Sequence, residues 1–358
     1  MEQALASRLS KVSNLRRLAG HSLMSQLDGE TQDFLGRHTA LSLLNQKPRV
    51  WHRIPYLKDN EGRAPPIVLA VGDRRRVYTI ARKLRNPILL PETAAKLSNR
   101  KLQAKNLPST AEFGRIAMVI GTIASIPVLV LETQMGSSAT QIIMNEILSD
   151  KLTSNEYRVS GKRTSLKNKI VIRIGTAGGI NCKGMPPIHS GDVVNATHSI
   201  GATGAIMQSL LRLDFWHPEA YEEFRSKWTS LSPDFTITAG NYPRVECSRE
   251  VVDAIELAGS RIAKGAYQKG GNITKDSLYA ELSTDIFLHL CQTENCRTTE
   301  MELSAIAVAA QAHETSFGMV SAVVGVLPGS SFVEDEKMKK MAEDKALQVG
   351  LDAVKCLI

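Results

Sequence analysis

The chain has 358 residues, of which 43% are hydrophobic and 22% charged, and its mean hydropathy is -0.13. These values are typical of a globular protein with a sizeable core and argue against extensive disorder. No apolar run is long enough to cross a membrane as a helix, so the sequence does not predict an integral membrane protein.

The formal net charge of +8 arises in the first third of the chain. Residues 1–110 hold 20 basic and 8 acidic side chains, whereas residues 111–358 hold 24 and 28. A basic excess of this kind attracts RNA, phosphorylated small molecules or an acidic protein, and it also occurs in targeting segments and ordinary solvated surfaces. The charge alone therefore leaves these alternatives open.

Two features bear on the cellular compartment. The chain has five cysteines, an odd number, and Cys291 and Cys296 lack a second pair at zinc-ligand spacing. This pattern favours reduced thiols in an intracellular protein. Residues 1–27 contain Glu2 as their one acidic residue, with basic residues and leucines at helical spacing, which suits a mitochondrial presequence and equally a docking helix. The expected location is cytoplasmic, or mitochondrial if residues 1–27 act as a presequence.

The chain divides into two parts. Residues 1–58 have no strand-like apolar runs and a net charge of +5, which predicts a basic N-terminal extension that serves in targeting or docking. Residues 59–358 are predicted to form one domain. Because the basic excess is N-terminal, an RNA or a larger assembly could bind through this first third.

From residue 66 onward, predicted strands and helices alternate. The predicted strands are Ile67–Val71, Arg115–Ile120, Val128–Glu132, Lys169–Ile174, Asp192–Thr197 and Phe317–Val326. The predicted helices are Arg74–Leu84, Ser138–Leu148 and Ile306–His313. Alternation over this length predicts an α/β fold in which helices cover both faces of a mostly parallel or mixed sheet.

Two glycine-containing turns are predicted at the ends of strands. Residues 72–76 read Gly-Asp-Arg-Arg-Arg, and residues 173–179 read Arg-Ile-Gly-Thr-Ala-Gly-Gly. Ligands of α/β sheets bind at the carboxyl ends of strands, where arginine offers a planar fork of donors to phosphate and glycine allows a close backbone approach. Either turn considered alone also fits an ordinary structural turn, and neither has the pattern of a dinucleotide or nucleoside triphosphate site.

A third segment, residues 299–303, precedes the last predicted helix. There the Glu302 carboxylate could accept hydrogen bonds from two adjacent sugar hydroxyls. The segment alone favours another interpretation, since Thr299 and Glu302 have the spacing of a helix-capping box.

The order and spacing of these segments resemble the nucleoside phosphorylase family, and within it the uridine phosphorylases. That family carries G-D-x-x-R, R-(I/V)-G-(T/S)-x-G-(G/A) and E-M-E segments, to which residues 72–76, 173–179 and 300–302 correspond. Residues 132–138 stand where relatives have a G-x-G-x-P-S turn, and Gly136 and Ser138 match it. The resemblance implies a three-layer α/β/α fold with a central mixed, partly barrel-like sheet.

The resemblance also implies roles for individual residues. The phosphate-binding residues would be Gly72, Arg76, Arg173 and Thr176. Glu302 would hold the ribose hydroxyls, with Met301 packing on the sugar. Of these, Arg76, Arg173 and Glu302 would be the catalytic residues.

Two further residues would act across a subunit interface. In uridine phosphorylases a neighbouring subunit lends an arginine to the phosphate and a histidine to the ribose, and Arg100 and His52 are the positional candidates here. A homodimer or higher homo-oligomer is therefore expected. The partners would be a nucleoside and phosphate, which is a co-substrate, and no metal or organic cofactor is implied.

The base site departs from the family pattern. Uridine phosphorylases carry a segment close to F-Y-x-G-Q-x-R that binds uracil, and Leu278 and Tyr279 stand in its first two positions. Residues 280–284 then lack the glutamine and the arginine. Residues 324–329 occupy the strand end where uridine phosphorylases usually carry Asn-Arg and some purine nucleoside phosphorylases a catalytic aspartate, and they contain neither. The base preference is therefore expected to be altered.

Two functions follow from these observations. The favoured one is a pentosyltransferase that converts a nucleoside, expected to be a pyrimidine nucleoside, and phosphate reversibly into free base and ribose 1-phosphate. The alternative is a catalytically inactive subunit with a phosphorylase fold and a structural or RNA-associated role in a larger assembly.

Overall fold

The computed structural model describes residues 55–90, 116–150, 152–202, 235–237, 242–276, 284–327, 331–332 and 336–357. The helices are α1 (Pro55–Asp59), α2 (Arg74–Ala81), α3 (Ser137–Leu148), α4 (Arg249–Ile262), α5 (Thr284–Thr293), α6 (Leu303–Ala312) and α7 (Glu336–Cys356). The first strands are β1 (Ile67–Val71), β2 (Arg85–Leu89), β3 (Met118–Ile123), β4 (Ile126–Glu132), β5 (Glu156–Val159), β6 (Lys162–Ser165) and β7 (Lys169–Ile180). The later strands are β8 (Val193–Ala202), β9 (Phe235–Ile237), β10 (Pro243–Glu246), β11 (Tyr267–Lys275), β12 (Cys296–Glu300), β13 (Thr315–Leu327) and β14 (Ser331–Phe332).

The long strand β7 joins two halves of one mixed sheet. On one side it pairs with β1, which continues through β4 and β3 to β2. On the other side β7, β13, β8, β11 and β12 pair in a closed ring, since β7 bonds to both β13 and β12. The expected α/β fold with a mixed, partly barrel-like sheet is confirmed.

Apolar side chains on both faces of the sheet build two core layers. In β1, Val68 and Ala70 face the layer that contains the buried side of α3 and α6. The alternate residues Ile67, Leu69 and Val71 face the layer that contains α4 and α7. A strand buried on both faces reads as a continuous apolar run, which is why Ile67–Val71 was recognisable from sequence.

The glycine-rich stretch at residues 175–179 is a strand, and its prediction as a turn was wrong. Strand β7 continues to Ile180, with Gly178 and Gly179 paired to β12. A side chain at Gly179 would lie 2.8 Å from Val323 Cγ1. These glycines therefore make the strand narrow enough for the ring to close, and local sequence cannot distinguish that from a turn.

The elements that were predicted differ from the observed ones mainly at their ends: helix α2 ends at Ala81 rather than Leu84, and strands β7, β8 and β13 are longer than predicted. The elements that were not predicted are strands β2, β5, β6, β9, β10, β11, β12 and β14 and helices α1, α4, α5 and α7. All five cysteines are free, as predicted. No helix within the described ranges is long and apolar enough to cross a membrane.

Candidate functional site

The turn between β1 and α2 is shaped by Asp73. Its side-chain Oδ1 accepts a hydrogen bond from the backbone N–H of Arg76 at 3.0 Å and so caps the helix. The cap fixes the first turn of α2 next to the carboxyl end of β1. Arg76 is thereby carried at the strand end where ligands of α/β sheets bind.

The guanidinium of Arg76 connects three parts of the chain. Its Nε lies 3.2 Å from Asp73 Oδ2, and its Nη2 lies 3.1 Å from Glu343 Oε1 on α7. The same Nη2 is 3.4 Å from the Thr176 hydroxyl on β7. Arg76 and Thr176 therefore meet, as their expected shared role in binding phosphate requires.

Arg173 lies in β7 between β1 and β13, with Ala70 and Met319 as its register partners. Its side chain is 3% exposed, and its Nη2 lies 2.5 Å from Glu302 Oε2. A Cβ added at Gly72 would lie 3.3 Å from Nη2 of this guanidinium, and one added at Gly175 would lie 3.2 Å from its Cζ. Both glycines thus leave room for the arginine itself, in addition to any ligand.

Glu302 joins Arg173 to the loop before α3. Its Oε1 accepts a hydrogen bond from the backbone N–H of Gly136 at 2.8 Å, while Oε2 contacts Arg173. Gly136 has a φ of 94°, a left-handed conformation that favours glycine. The match to the family at Gly136 therefore has a direct structural reason.

The capping box expected as the alternative at residues 299–302 does not form. Thr299 lies in β12, its hydroxyl has no hydrogen-bond partner among the described residues, and α6 begins at Leu303. The carboxylate of Glu300 takes the capping role and accepts bonds from the backbone N–H groups of Glu302 and Leu303 at 2.8 and 3.0 Å. This leaves the Glu302 side chain directed at Arg173 and Gly136.

Glu300 is held at the end of a buried polar network inside the ring of strands. Its Oε1 accepts hydrogen bonds from Asn272 Nδ2 at 2.9 Å and from the Thr274 hydroxyl at 2.7 Å. Its Oε2 lies 3.9 Å from Arg173 Nε. Burial, followed by the neighbouring Glu302 carboxylate, raises the pKa of Glu300 from 4.5 to about 7, whereas Arg173 and the hydrogen bonds act in the opposite direction.

The structure describes six of the sequence-predicted residues. Five of them form a cluster at the carboxyl ends of β1 and β12 and along β7, in which Arg76 contacts Thr176, Arg173 contacts Glu302, and Gly72 lies beside the Arg173 guanidinium. Met301 is partly exposed in the turn that follows β12. The remaining candidates lie outside the described residues, namely His52, Arg100, Leu278 and Tyr279.

Several residues of the cluster were not predicted. Glu343 comes from α7, 267 residues after Arg76, and no motif marks it. Asp276 follows β11 and accepts a hydrogen bond from the Ser137 hydroxyl, next to the Gly136–Glu302 contact. Glu300 lies in the E-M-E segment, two residues before Glu302, and this spacing was the sequence signal that could have identified it as part of the site.

Chemically, the cluster combines two arginines with several carboxylates. Arg76 and Arg173 can donate to an anion, and Thr176 adds a hydroxyl beside Arg76. Glu302 and Glu300 oppose the charge of Arg173 and supply negative charge beside it. Such a site can hold an anion and a group that gains positive charge next to each other.

Comparison with known families gives a match that covers part of this cluster. The sequence model of the Phosphorylase superfamily matches residues 88–355, a range that includes Arg173 and Glu302 but begins after Gly72 and Arg76. No curated protein matches the chain at a significant level.

Solved structures of nucleoside phosphorylases share the fold. A uridine phosphorylase from Vibrio fischeri, in complex with 6-hydroxy-1-naphthoic acid, is 16% identical with a TM-score of 0.54, over 82% of this chain and 93% of that one. A purine nucleoside phosphorylase from Toxoplasma gondii, in complex with immucillin-H, is 17% identical with a TM-score of 0.54, over 81% of this chain and 90% of that one. At these identities the likeness concerns the fold alone.

Proposed function

Since the match over residues 88–355 shows that the chain belongs to the phosphorylase superfamily, we propose that it is a nucleoside phosphorylase. The single observation that carries this proposal is that three separate segments of the chain meet at β7, where Thr176 contacts Arg76 and Arg173 contacts Glu302. In the proposed reaction a phosphate oxygen bonds to the anomeric carbon of a nucleoside. The glycosidic C–N bond breaks, and the base leaves with its electron pair and takes up a proton.

The charges of the cluster fit both halves of this reaction. Arg76 and Arg173, with the Thr176 hydroxyl, would bind the phosphate, and Gly72 would leave space beside Arg173. The sugar gains positive charge as the C–N bond breaks, and Glu302, which would hold the ribose hydroxyls, would stabilise it. Met301 would pack against the same sugar.

Within one chain, nearby carboxylates offset most of the positive charge of the two arginines. Arg173 faces Glu302 and Glu300, while Arg76 faces Asp73 and Glu343. A phosphate dianion would be held better if a further cation reached the site. We therefore propose a homodimer in which the partner lends an arginine and a histidine, with Arg100 and His52 as the residues of this chain that would serve its neighbour.

The proposal for the base preference is based on the sequence alone. The Leu278-Tyr279 pair stands where uridine phosphorylases stack on uracil, which supports a pyrimidine nucleoside as the substrate. The missing glutamine and arginine after it argue for an altered preference, because a site that lacks polar partners loses discrimination for a polar base.

The test is phosphate-dependent release of base from a panel of purine and pyrimidine nucleosides by the purified protein. We expect turnover with at least one nucleoside and its loss in Arg173→Ala. Because that substitution leaves buried carboxylates without their partner, Arg76→Ala, at a partly exposed position, serves as the second variant. Arg75→Ala is the matched control, since Arg75 is an exposed neighbour in the same turn of α2.

The sequence feature that favours a second function is the loss of the base-binding glutamine and arginine. Absence of turnover with every nucleoside, from protein shown to be folded, would overturn the phosphorylase and favour the inactive, structural or RNA-associated subunit. Binding of RNA to the full chain would then be the next measurement, with the basic residues 1–110 as the expected contact region.

A further inference from the structure

The Arg76 guanidinium is held along one edge and open at the other. Nε contacts Asp73 at 3.2 Å, and Nη2 contacts Glu343 at 3.1 Å and Thr176 at 3.4 Å. Within the described ranges, every hydrogen bond and ion pair of this guanidinium uses Nε or Nη2, and Nη1 makes none. Because a guanidinium is planar and rigid, fixing Nε and Nη2 also fixes the direction in which Nη1 donates.

Glu343 is a partner whose own position is fixed by packing. Its side chain is 29% exposed, but its helix α7 lies on the sheet through the buried residues Ala342 and Ala346. Gly350, two turns further along, faces Ile174 and Val320 so closely that a Cβ there would lie 2.4 Å from Ile174 Cδ1. Ile174 directly follows Arg173 in β7, so α7 packs against the strand that carries Arg173.

We propose that Glu343 is a positioning residue that holds the Arg76 guanidinium in the orientation in which its free edge binds phosphate. This inference rests on the proposed function, in which Arg76 is a phosphate-binding residue. A long, partly exposed arginine loses rotamer freedom when it binds a ligand, and a carboxylate that orders it beforehand removes part of that cost. The C-terminal helix thereby becomes part of the phosphate site without touching the phosphate.

Glu343 could also have the opposite role and compete with phosphate for Arg76. Its removal would then tighten phosphate binding instead of weakening it. The contacts favour positioning, because Glu343 and Asp73 leave Nη1 unoccupied. Glu343→Ala and Glu343→Gln separate the two roles, since glutamine keeps a hydrogen-bond acceptor for Nη2 and alanine does not.

The experiment measures binding of inorganic phosphate to the full chain by calorimetry, together with KM for phosphate and kcat. We expect Glu343→Ala to weaken phosphate binding about tenfold, and to raise KM for phosphate by a similar factor with little change in kcat. We expect Glu343→Gln to restore most of the affinity. Asp344→Ala, at an exposed position of the same helix, is the matched control and should behave as the wild type.

The outcomes separate this inference from the proposed function. Wild-type affinity in Glu343→Ala, or affinity tighter than that of the wild type, would overturn the positioning role while leaving the phosphorylase intact. Absence of phosphate binding by the wild-type protein would overturn the proposed function, and the positioning role with it. Alanine at a partly exposed position in α7 favours the helix, so the variant is expected to fold.

Discussion

Arg173 and Glu302 form a buried ion pair with 2.5 Å between Nη2 and Oε2, although 129 residues separate them in the chain. The pair joins the strand that runs through the centre of the sheet to the N-terminus of α6. Because Glu302 also accepts from the Gly136 N–H, it connects three elements at one point. The same contacts that would organise substrate binding therefore also hold the fold together.

The first prediction concerns Glu302→Gln, which keeps the size of the side chain and an acceptor for the Gly136 N–H but removes the charge opposite Arg173. We expect the free energy of unfolding to fall by roughly 1–3 kcal/mol, because a charge-assisted hydrogen bond in a buried site is lost. Turnover should fall roughly 100-fold if Glu302 stabilises the sugar in the transition state. Urea unfolding and steady-state kinetics measure the two effects.

The control for Glu302→Gln is Glu256→Gln, which removes the carboxylate of a surface ion pair with Lys269. An exposed pair contributes little, so this variant should change the free energy of unfolding by less than about 1 kcal/mol and leave turnover unchanged. Equal effects of the two substitutions would argue against a special role for Glu302.

The sequence predicted the strands that carry the cluster in part. Strands β1 and the first half of β7, with Arg173, were recognisable as buried strands, whereas Thr176 was placed in a turn that is a strand. The grouping of Arg173 and Thr176 with Gly72 and Arg76 came from the resemblance to the nucleoside phosphorylases and not from the local pattern. Glu343 was not predictable, since its contact with Arg76 depends on how α7 crosses the sheet. Tertiary packing of this kind leaves no pattern in the local sequence.

The second prediction follows from the pKa of Glu300, which burial and Glu302 raise from 4.5 to about 7. Between these values the folded protein holds a proton that the unfolded chain has released. The stability contributed by this group is therefore fully present below pH 4.5 and is lost as pH rises towards 7, at most at about 1.4 kcal/mol per pH unit.

Glu300→Gln separates this effect from that of carboxylates distant from Glu300, whose contributions cancel when the two proteins are compared. The wild type should lose stability relative to Glu300→Gln as pH rises from 4.5 to 7, whatever the offset between them. Denaturant unfolding at a series of pH values gives the difference. A constant difference across this window would mean that the folded protein does not raise the pKa of Glu300.

The third prediction concerns Thr274, whose hydroxyl donates to Glu300 at 2.7 Å and accepts from the backbone N–H of Ser304 at 3.1 Å. Thr274→Val keeps the shape and removes the hydroxyl, which leaves a buried N–H without its partner. We expect a loss of roughly 1–3 kcal/mol in the free energy of unfolding. Thr274→Ser retains the hydroxyl and should lose less, and the reverse order would contradict the network.

The same variant should also move the titration of Glu300. The hydrogen bond from Thr274 is one of the contacts that lower the pKa of this carboxyl, so Thr274→Val should raise the pKa further. The pH at which stability stops falling would then shift upward. If Thr274→Val loses stability but keeps the pH dependence of the wild type, Thr274 stabilises the fold without lowering the pKa of Glu300.

The last prediction tests the close packing of α7 on the sheet. Gly350→Ala should destabilise the protein by roughly 1–3 kcal/mol, since the added Cβ would lie 2.4 Å from Ile174 Cδ1 and force the helix outward. Ile174→Ala removes that Cδ1 together with Cγ1, which would lie 2.7 Å from the same Cβ, and alone should cost about 2–5 kcal/mol. In the double variant the two losses should be less than additive, because the new methyl group occupies the space that Cδ1 and Cγ1 have left. Phosphate affinity should fall in Gly350→Ala and recover in the double variant, since the helix then returns Glu343 to Arg76. Strict additivity in urea unfolding would show that the close contact at Gly350 does not set the position of the helix.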